Sequence, residues 1–297
     1  MAERIVFFGS GPVAAESLKL LAASFDIEAV ITKPTTTRQM REAHTAAQQF
    51  TVENKQRLDE LFDKQSFQSK VAVLTDFGII VSRKVIDSFE FGIVNSHFSL
   101  LPEWRGADPI TYSILSGQAE TGVSLMLLTD KMDEGKIIGS GIQPITSDDT
   151  TSSLTHKLIL LSDALLKELL PQYLIKNYAI DQLEAAGLSH GRSVISYSRK
   201  LVKSDGEIDW SKPASVIERE IRAYQPWPKS HTQFGDIDVI IIKARIASDE
   251  EAASDDKNIL TIKCGSGALL IEDLQPVGKK PMATAAFLAG YRSRLPV

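Results

Sequence analysis

An apolar run that stops at glycine and reopens as a helix constrains this chain more than any other feature. Ile5, Val6, Phe7 and Phe8 lead into Gly9-Ser10-Gly11-Pro12, and Ala14, Leu18 and Leu21 then recur at helical spacing. The pattern predicts a strand, a turn and a helix. The same punctuation returns downstream. Residues 28–31, 71–74 and 92–94 read as further short strands, Asp76-Phe77-Gly78 as the turn after the third, and residues 79–89 as a short helical or irregular connection. Strands separated by helical connections predict an α/β domain with a Rossmann-like, mostly parallel sheet flanked by helices, and such sheets bind ligands beyond the carboxyl ends of their strands. Residues 122–129 and 137–145 add two strands, antiparallel to each other because only a short connection joins them. Leu154, Leu158, Leu161, Leu165 and Leu169 then mark a core-facing helix behind a Thr/Ser-rich cap.

The early glycines admit two readings. Gly9, Gly11 and Ala14 satisfy the Gly-x-Gly-x-x-Gly/Ala pattern of a dinucleotide site, yet strand 28–31 runs into Thr32-Lys33 where an acidic ribose-binding residue belongs. Close packing of strand on helix accounts for the same glycines. Between Thr32 and Phe50 a polar segment with Pro34, a Thr35-Thr36-Thr37 run, Arg38 and Arg41 interrupts the alternation and reads as a loop.

At 297 residues the chain has room for two domains. Its composition changes after Leu183, which gives a first domain at 1–183, a basic linker at 184–205 with Arg192, Arg199, Lys200 and Lys203, and a second domain at 206–297. Charge alone fits a solvated linker. In the second domain residues 214–224 predict a short helix after Pro213, and residues 232–234, 237–246, 259–263 and 268–274 predict strands, a spacing that fits a small β-barrel or sandwich. A hydrophobic content of 43% and a charged content of 24% are those of a soluble globular protein, and no apolar run is long enough to span a bilayer. The N-terminus reads as no export signal, and the single cysteine, Cys264, lies in a predicted strand as a core thiol, which points to the cytoplasm. A net charge of −5 argues against a whole-surface nucleic-acid binder and leaves the linker as a local basic exception.

Polar chemistry concentrates where the strand at 92–94 ends. In an extended chain Asn95 and His97 project to one face, and Ser99-Leu100-Leu101-Pro102 and Arg105-Gly106 then break regular structure. Spacing alone favours Asn95 as a turn cap and His97 as a surface or satisfied core histidine. Asp133 by itself is a turn residue in Asp-Glu-Gly, and Arg105 fits either a phosphate contact or a solvated loop.

Asn95-x-His97, Ser99-Leu100-Leu101-Pro102, Arg105-Gly106 and Asp133-x-Gly135 together resemble the folate-dependent formyltransferases, with a likeness that runs over nearly the whole chain. The second domain, with Tyr197, Lys200-Leu201, Ile208-Asp209-Trp210-Ser211 and Ile221-Arg222-Ala223-Tyr224 leading into Pro226-Trp227-Pro228, is similar to that of the members acting on methionyl-tRNA. The resemblance implies transfer of a formyl group from 10-formyltetrahydrofolate to the methionine amino group of initiator methionyl-tRNA, for translation initiation, by a metal-free monomer with an OB-like tRNA-binding second domain. It implies Asn95, His97 and Asp133 as the catalytic trio. On the folate side it implies Phe77, Gly78, Ile79, Ser99, Leu100, Leu101 and Pro102, with Phe77 packing on the pterin. Contacts to tRNA fall to Arg38, Arg41, Arg105, Arg192, Arg199, Lys200 and Lys203.

Attack of an amine on a formyl carbonyl requires oxyanion stabilisation and proton removal, and these residue types suit both. Asn95 would donate to the oxyanion, His97 would donate a second bond or shuttle the proton, and Asp133 would orient His97 or hold a relaying water. Alternatives are a formyltransferase for a sugar nucleotide or another small amine, and a tRNA-binding protein of this fold without catalysis. Four positions depart from the family pattern. Phe98 replaces a common glycine, Asp108 a small residue, Asp76-Phe77-Gly78 the usual Ala-Tyr-Gly, and segment 32–50 lacks the glycine-containing basic run that enters the acceptor end. A carboxylate at 108 close to His97 would favour the protonated ring.

Overall fold

A computed structural model describes residues 2–43, 46–176, 194–254, 256 and 258–294. The chain divides into two compact units, one made of Met1–Pro109, Glu120–Pro144 and Thr155–Ser198, the other of Ile110–Ala119, Ile145–Leu154 and Arg199–Val297. Segment 184–193 of the expected linker, with Arg192, lies outside the described residues.

In the first unit, strands β1 (Arg4–Gly9), β2 (Asp26–Thr32), β3 (Gln48–Thr51), β4 (Val71–Thr75), β5 (Ile93–His97), β7 (Glu120–Leu127) and β8 (Ile137–Pro144) form one sheet in the order β3-β2-β1-β4-β5-β7-β8. The first five run parallel, β7 is antiparallel to β5, and β8 is antiparallel to β7. Every residue of β4 and β5 is buried, and so is all of β1 after Arg4, which is why these strands read as continuous apolar runs rather than alternating ones. Helix α1 (Pro12–Leu21) begins on a proline suited to a first turn. A Cβ at Gly9 would sit 2.6 Å from that of Ala14 and 2.5 Å from the Phe7 ring, so strand-on-helix packing suffices to require glycine there.

Segment 32–50 is more regular than its composition suggests. A 3-10 turn at Pro34–Thr36 leads into α2 (Thr37–Ala43) and then edge strand β3. The hydroxyls of Thr36 and Thr37 donate to the Lys33 carbonyl, and Met40 is fully buried as the helix's one anchor. One buried residue in seven gives no apolar stripe to read. Next, α3 (Lys55–Lys64) is capped by Asn54, whose side chain accepts from the Arg57 N–H at 3.0 Å. Phe8, Phe62, Phe77 and Phe89 meet in the core beneath the sheet. Strand order reverses between β1 and β4, and there the Ser10 N–H donates to the Asp76 carbonyl at 2.9 Å, tying the two following loops together. Such a reversal opens a crevice at the carboxyl ends of the strands.

Helix α4 (Arg83–Ile86) lies in the first unit, nearly all of α5 (Pro109–Ser116) is assigned to the second, and α6 (Thr151–Lys176) starts in the second and runs on in the first. In the first unit a two-residue ladder pairs β6 (Arg105–Gly106) with β9 (Tyr197–Ser198). The second unit is an antiparallel half-barrel of β10 (His231–Phe234), β11 (Ile237–Ile246), β13 (Ala268–Pro276) and β12 (Leu260–Lys263), with β14 (Met282–Ala283) on β13. Helix α7 (Ala214–Ala223) buries Ile217 and Ile221 among Val239, Ile241, Leu269 and Phe287. Cys264 belongs to the same core, where burial pushes its thiol pKa up. No helix among the described residues is long and apolar enough to cross a membrane.

Candidate active site

Strand β5 carries the polar pair to its own end. Alternation puts Asn95 and His97 on one face and Ser96, bonded through Oγ to Ser162 Oγ at 2.6 Å, on the other. Asn95 and His97 are 8% and 7% exposed. The following loop is pinned from within. Ser124 Oγ donates to the Ser99 carbonyl at 2.8 Å and accepts from the Leu101 N–H at 3.0 Å, while Ser99 Oγ donates to the Glu103 carbonyl at 2.6 Å. At Trp104 the backbone enters the left-handed region, with φ 54°, and its carbonyl lies 3.1 Å from His97 Nε2.

That contact fixes the tautomer. A carbonyl oxygen only accepts, so Nε2 carries the proton, and neutral His97 keeps a lone pair on Nδ1. Nδ1 faces Asp133 Oδ1 across 3.8 Å. Burial lowers the His97 pKa below its ordinary value, against the opposing pull of the Asp133 charge and the Trp104 carbonyl. Asp133, at φ 51°, is held by its other oxygen, which accepts from the Gly106 N–H at 2.8 Å. The Asn95 amide makes no hydrogen bond among the described residues.

Gly106 sits where only glycine fits. Its φ is 115°, and a Cβ there would fall 2.2 Å from the Ser198 carbonyl oxygen. Gly106→Ala is therefore expected to lower unfolding stability by about 1–3 kcal/mol in chemical denaturation, and to slow turnover, because the same residue's N–H tethers Asp133. Next to it, Arg105 does not reach outward for a phosphate as one sequence reading had it. Its guanidinium is 15% exposed and pairs with Glu134 at 2.9 Å, and its Nε is buried without a partner. Since Glu134 follows Asp133, this pair and the Asp133–Gly106 bond join the two loops at adjacent positions.

The folate-side expectations fare unevenly. Phe77 is 1% exposed and packs edge-on against Phe8 at 5.4 Å, so its ring belongs to the core rather than to a pterin face. Asp76 and Gly78 on either side are left-handed, at φ 47° and 65°, and this backbone path turns the ring inward. Ser99, Leu100 and Leu101 are 0%, 1% and 5% exposed and build the loop's floor, whereas Gly78, Ile79 and Pro102 reach its surface. Phe98 is also buried. A charged group that sequence reading took piecemeal gathers here. Asp76 is exposed as a residue, yet its carboxyl is desolvated, and that desolvation raises its pKa to about 6 against the Lys33 charge, with the Asp108 charge adding a smaller upward push. The second carboxylate of this loop thus bears on Asp76, and the one that bears on His97 is Asp133.

Among the expected RNA contacts, Arg38 pairs with Glu42 at 2.7 Å and Arg41 is exposed, both in the first unit. In the second unit Arg199 holds Asp205 through two bonds of 2.8 and 2.6 Å, and Lys200 and Lys203 are exposed.

Residues 3–170 match the family model for formyl transferases, and residues 200–292 match the model for the formyl transferase C-terminal domain. The chain belongs to the formyl transferase family. Within that family it is similar over its length to methionyl-tRNA formyltransferases: that of Roseiflexus castenholzii is 33% identical over 98% of this chain and 97% of the other. The protein from Paracoccus denitrificans bearing the same name is 30% identical over 97% of each. The fold is shared with the solved N-formyltransferase from Helicobacter canadensis in complex with folinic acid and dTDP-3-aminofucose, at a TM-score of 0.62 and 18% identity, over 91% of this chain and 98% of that one.

Proposed function

We propose that this protein transfers the formyl group of 10-formyltetrahydrofolate to the methionine amino group of initiator methionyl-tRNA, acting as a monomer in the cytoplasm. The observation that carries the reading is the polar geometry at the end of β5. Asn95 has an amide with no partner in the described chain, and beside it two acceptors, His97 Nδ1 and Asp133 Oδ1, face each other across 3.8 Å. Two acceptors gain nothing from each other. A donor shared between them satisfies both, and the incoming ammonium of an aminoacyl group is such a donor.

In this reading Asp133 binds the ammonium by charge and His97 Nδ1 takes its proton, freeing the amine to attack. The Asn95 N–H₂ donates to the formyl oxygen as it becomes an oxyanion. The tetrahedral intermediate collapses by breaking the bond to the folate nitrogen, the proton held on His97 goes to that leaving nitrogen, and the nitrogen that attacked gives its second proton to the freed Nδ1 and on to water, leaving the neutral formamide. The backbone around Gly78, with Ile79 and Pro102, remains on offer to the folate, and exposed cations of the second unit to the RNA.

The pH dependence follows from the tautomer. Only neutral His97 accepts a proton, so kcat/KM is expected to rise with pH through a pKa below the ordinary histidine value of about 6.5 and to level off above it, falling again only where the acceptor ammonium itself loses its proton. Because the Asp133 charge raises the His97 pKa, Asp133→Asn should move that acid limb to still lower pH while slowing turnover. An acid limb above the ordinary histidine range would contradict the assignment.

The functional reading is tested by offering purified protein 10-formyltetrahydrofolate with charged initiator or elongator methionyl-tRNA. Faster transfer to the initiator is the expected result. Equal rates would remove the selectivity, and no transfer to either would favour a sugar or small-amine acceptor.

A further inference from the structure

Trp227 differs from the other two tryptophans. Trp210 donates its indole N–H to Thr232 Oγ1 at 3.0 Å and packs on the second unit's core, and Trp104 is half-buried in the loop after β5. Trp227 is 50% exposed, between two prolines directly after α7. The turn beneath it is well anchored. The Lys229 N–H donates to the Tyr224 carbonyl at 2.8 Å, the Gln225 amide donates to the carbonyls of Ile221 and Ile242, and the Ile241 N–H donates to the Ser230 carbonyl at 2.8 Å. A large aromatic ring held in water by a fixed turn keeps apolar area that the fold itself does not bury.

Its surroundings are cationic in a particular way. A Cβ at Gly206 would lie 2.2 Å from the Lys229 carbonyl oxygen, so the turn Lys203–Gly206 abuts the base of the tryptophan turn. Lys203 and Lys229 are exposed and form no ion pair among the described residues. Asp205, the acid of that turn, is already committed to Arg199 and to the Val202 N–H. Elsewhere in this unit Lys212, Lys243 and Arg245 are engaged by Glu220, Glu272 and Glu251, while Lys200, Lys263, Lys279 and Lys280 are exposed like Lys203 and Lys229. Uncommitted ammonium groups thus accompany the exposed ring.

We infer that Trp227, with Lys203 and Lys229, forms a stacking platform for an unpaired base of the RNA substrate, the ring covering the base and the lysines meeting its flanking phosphates. This rests on the reading of methionyl-tRNA as acceptor and adds to it a recognition element. An exposed aromatic ring with exposed lysines on its own turn and on the adjoining one suits single-stranded nucleotides, and it tolerates any base because every base has a π-face. The platform therefore contributes affinity and leaves the choice of tRNA to other contacts.

The test uses the full-length protein, uncharged and charged initiator tRNA, and a short single-stranded adenylate oligomer as probes. RNA should quench tryptophan fluorescence in the wild type and lose most of that effect in Trp227→Phe. Trp227→Ala should raise the Kd for tRNA at least about fivefold, while Trp227→Phe, which keeps a ring, should stay close to wild type. Lys203→Ala and Lys229→Ala should each lower the salt slope of binding by about one. Wild-type affinity in Trp227→Ala, or equal loss in the alanine and phenylalanine variants, overturns stacking, the second outcome marking a packing role. Transfer to methionyl-tRNA measured on the same samples separates the two readings. Wild-type protein that transfers formyl while Trp227→Ala binds normally removes only the platform, whereas wild-type protein that transfers none removes the acceptor assignment on which it rests.

Discussion

His97→Ala is expected to lower kcat for formyl transfer by about 10²–10⁴-fold, the usual contribution of a positioned general base, with little change in the Kd for methionyl-tRNA. The ring is 7% exposed, gives its Nε2 proton to the Trp104 carbonyl and presents Nδ1 to Asp133. Alanine removes the lone pair that receives the ammonium proton and takes the His97 donor from the Trp104 carbonyl, which keeps the longer bond from Ser198 Oγ at 3.4 Å. The second effect is structural, so the measurement is single-turnover transfer alongside RNA binding and thermal melting. Loss of rate at retained binding and folding assigns the proton transfer to His97. A parallel fall in binding and rate would place it in the scaffold instead.

Asn95→Ala should cost about 10²–10³-fold in kcat, the range for removing one oxyanion donor. The amide is buried at 8% exposure at the end of β5 and has no hydrogen-bond partner within the described chain, so its replacement breaks no internal bond. Asn95→Asp is the sharper comparison. Nearly the same shape is retained, but an anion is set against a developing anion, and the variant should be slower than Asn95→Ala. KM should change little in both, because the interaction strengthens only as charge builds in the transition state. If Asn95→Asp retained the activity of the parent, the donor role would be lost.

The sequence disclosed those parts of the fold that depend on local repetition. Strands β1, β4 and β5 announce themselves as apolar runs, and a side-chain period of two is enough to set Asn95 and His97 on one face. What escaped it depends on tertiary contacts or on single backbone angles. Helix α2 has one buried residue, Met40, and therefore no apolar stripe. Phe77 looks like a ligand platform by its place in a strand-end turn, and only the left-handed residues on either side send its ring into the core. Arg105 is engaged by Glu134, 29 residues further on, a pairing no spacing rule anticipates. The protonation pattern of His97 is set by the carbonyl of Trp104, which reaches it through a left-handed turn seven residues away. Asp76 and Asp108 read separately in the sequence as departures from the family pattern, and in the fold the Asp108 charge bears on the Asp76 carboxyl.

The most direct measurement is a crystal structure of the protein with a non-transferable formyl-folate analogue. The formyl oxygen is predicted to lie about 2.7–3.1 Å from the Asn95 amide nitrogen, with the formyl carbon facing the gap between His97 Nδ1 and Asp133 Oδ1. A folate bound with its formyl group out of reach of Asn95 and away from that gap would contradict the account.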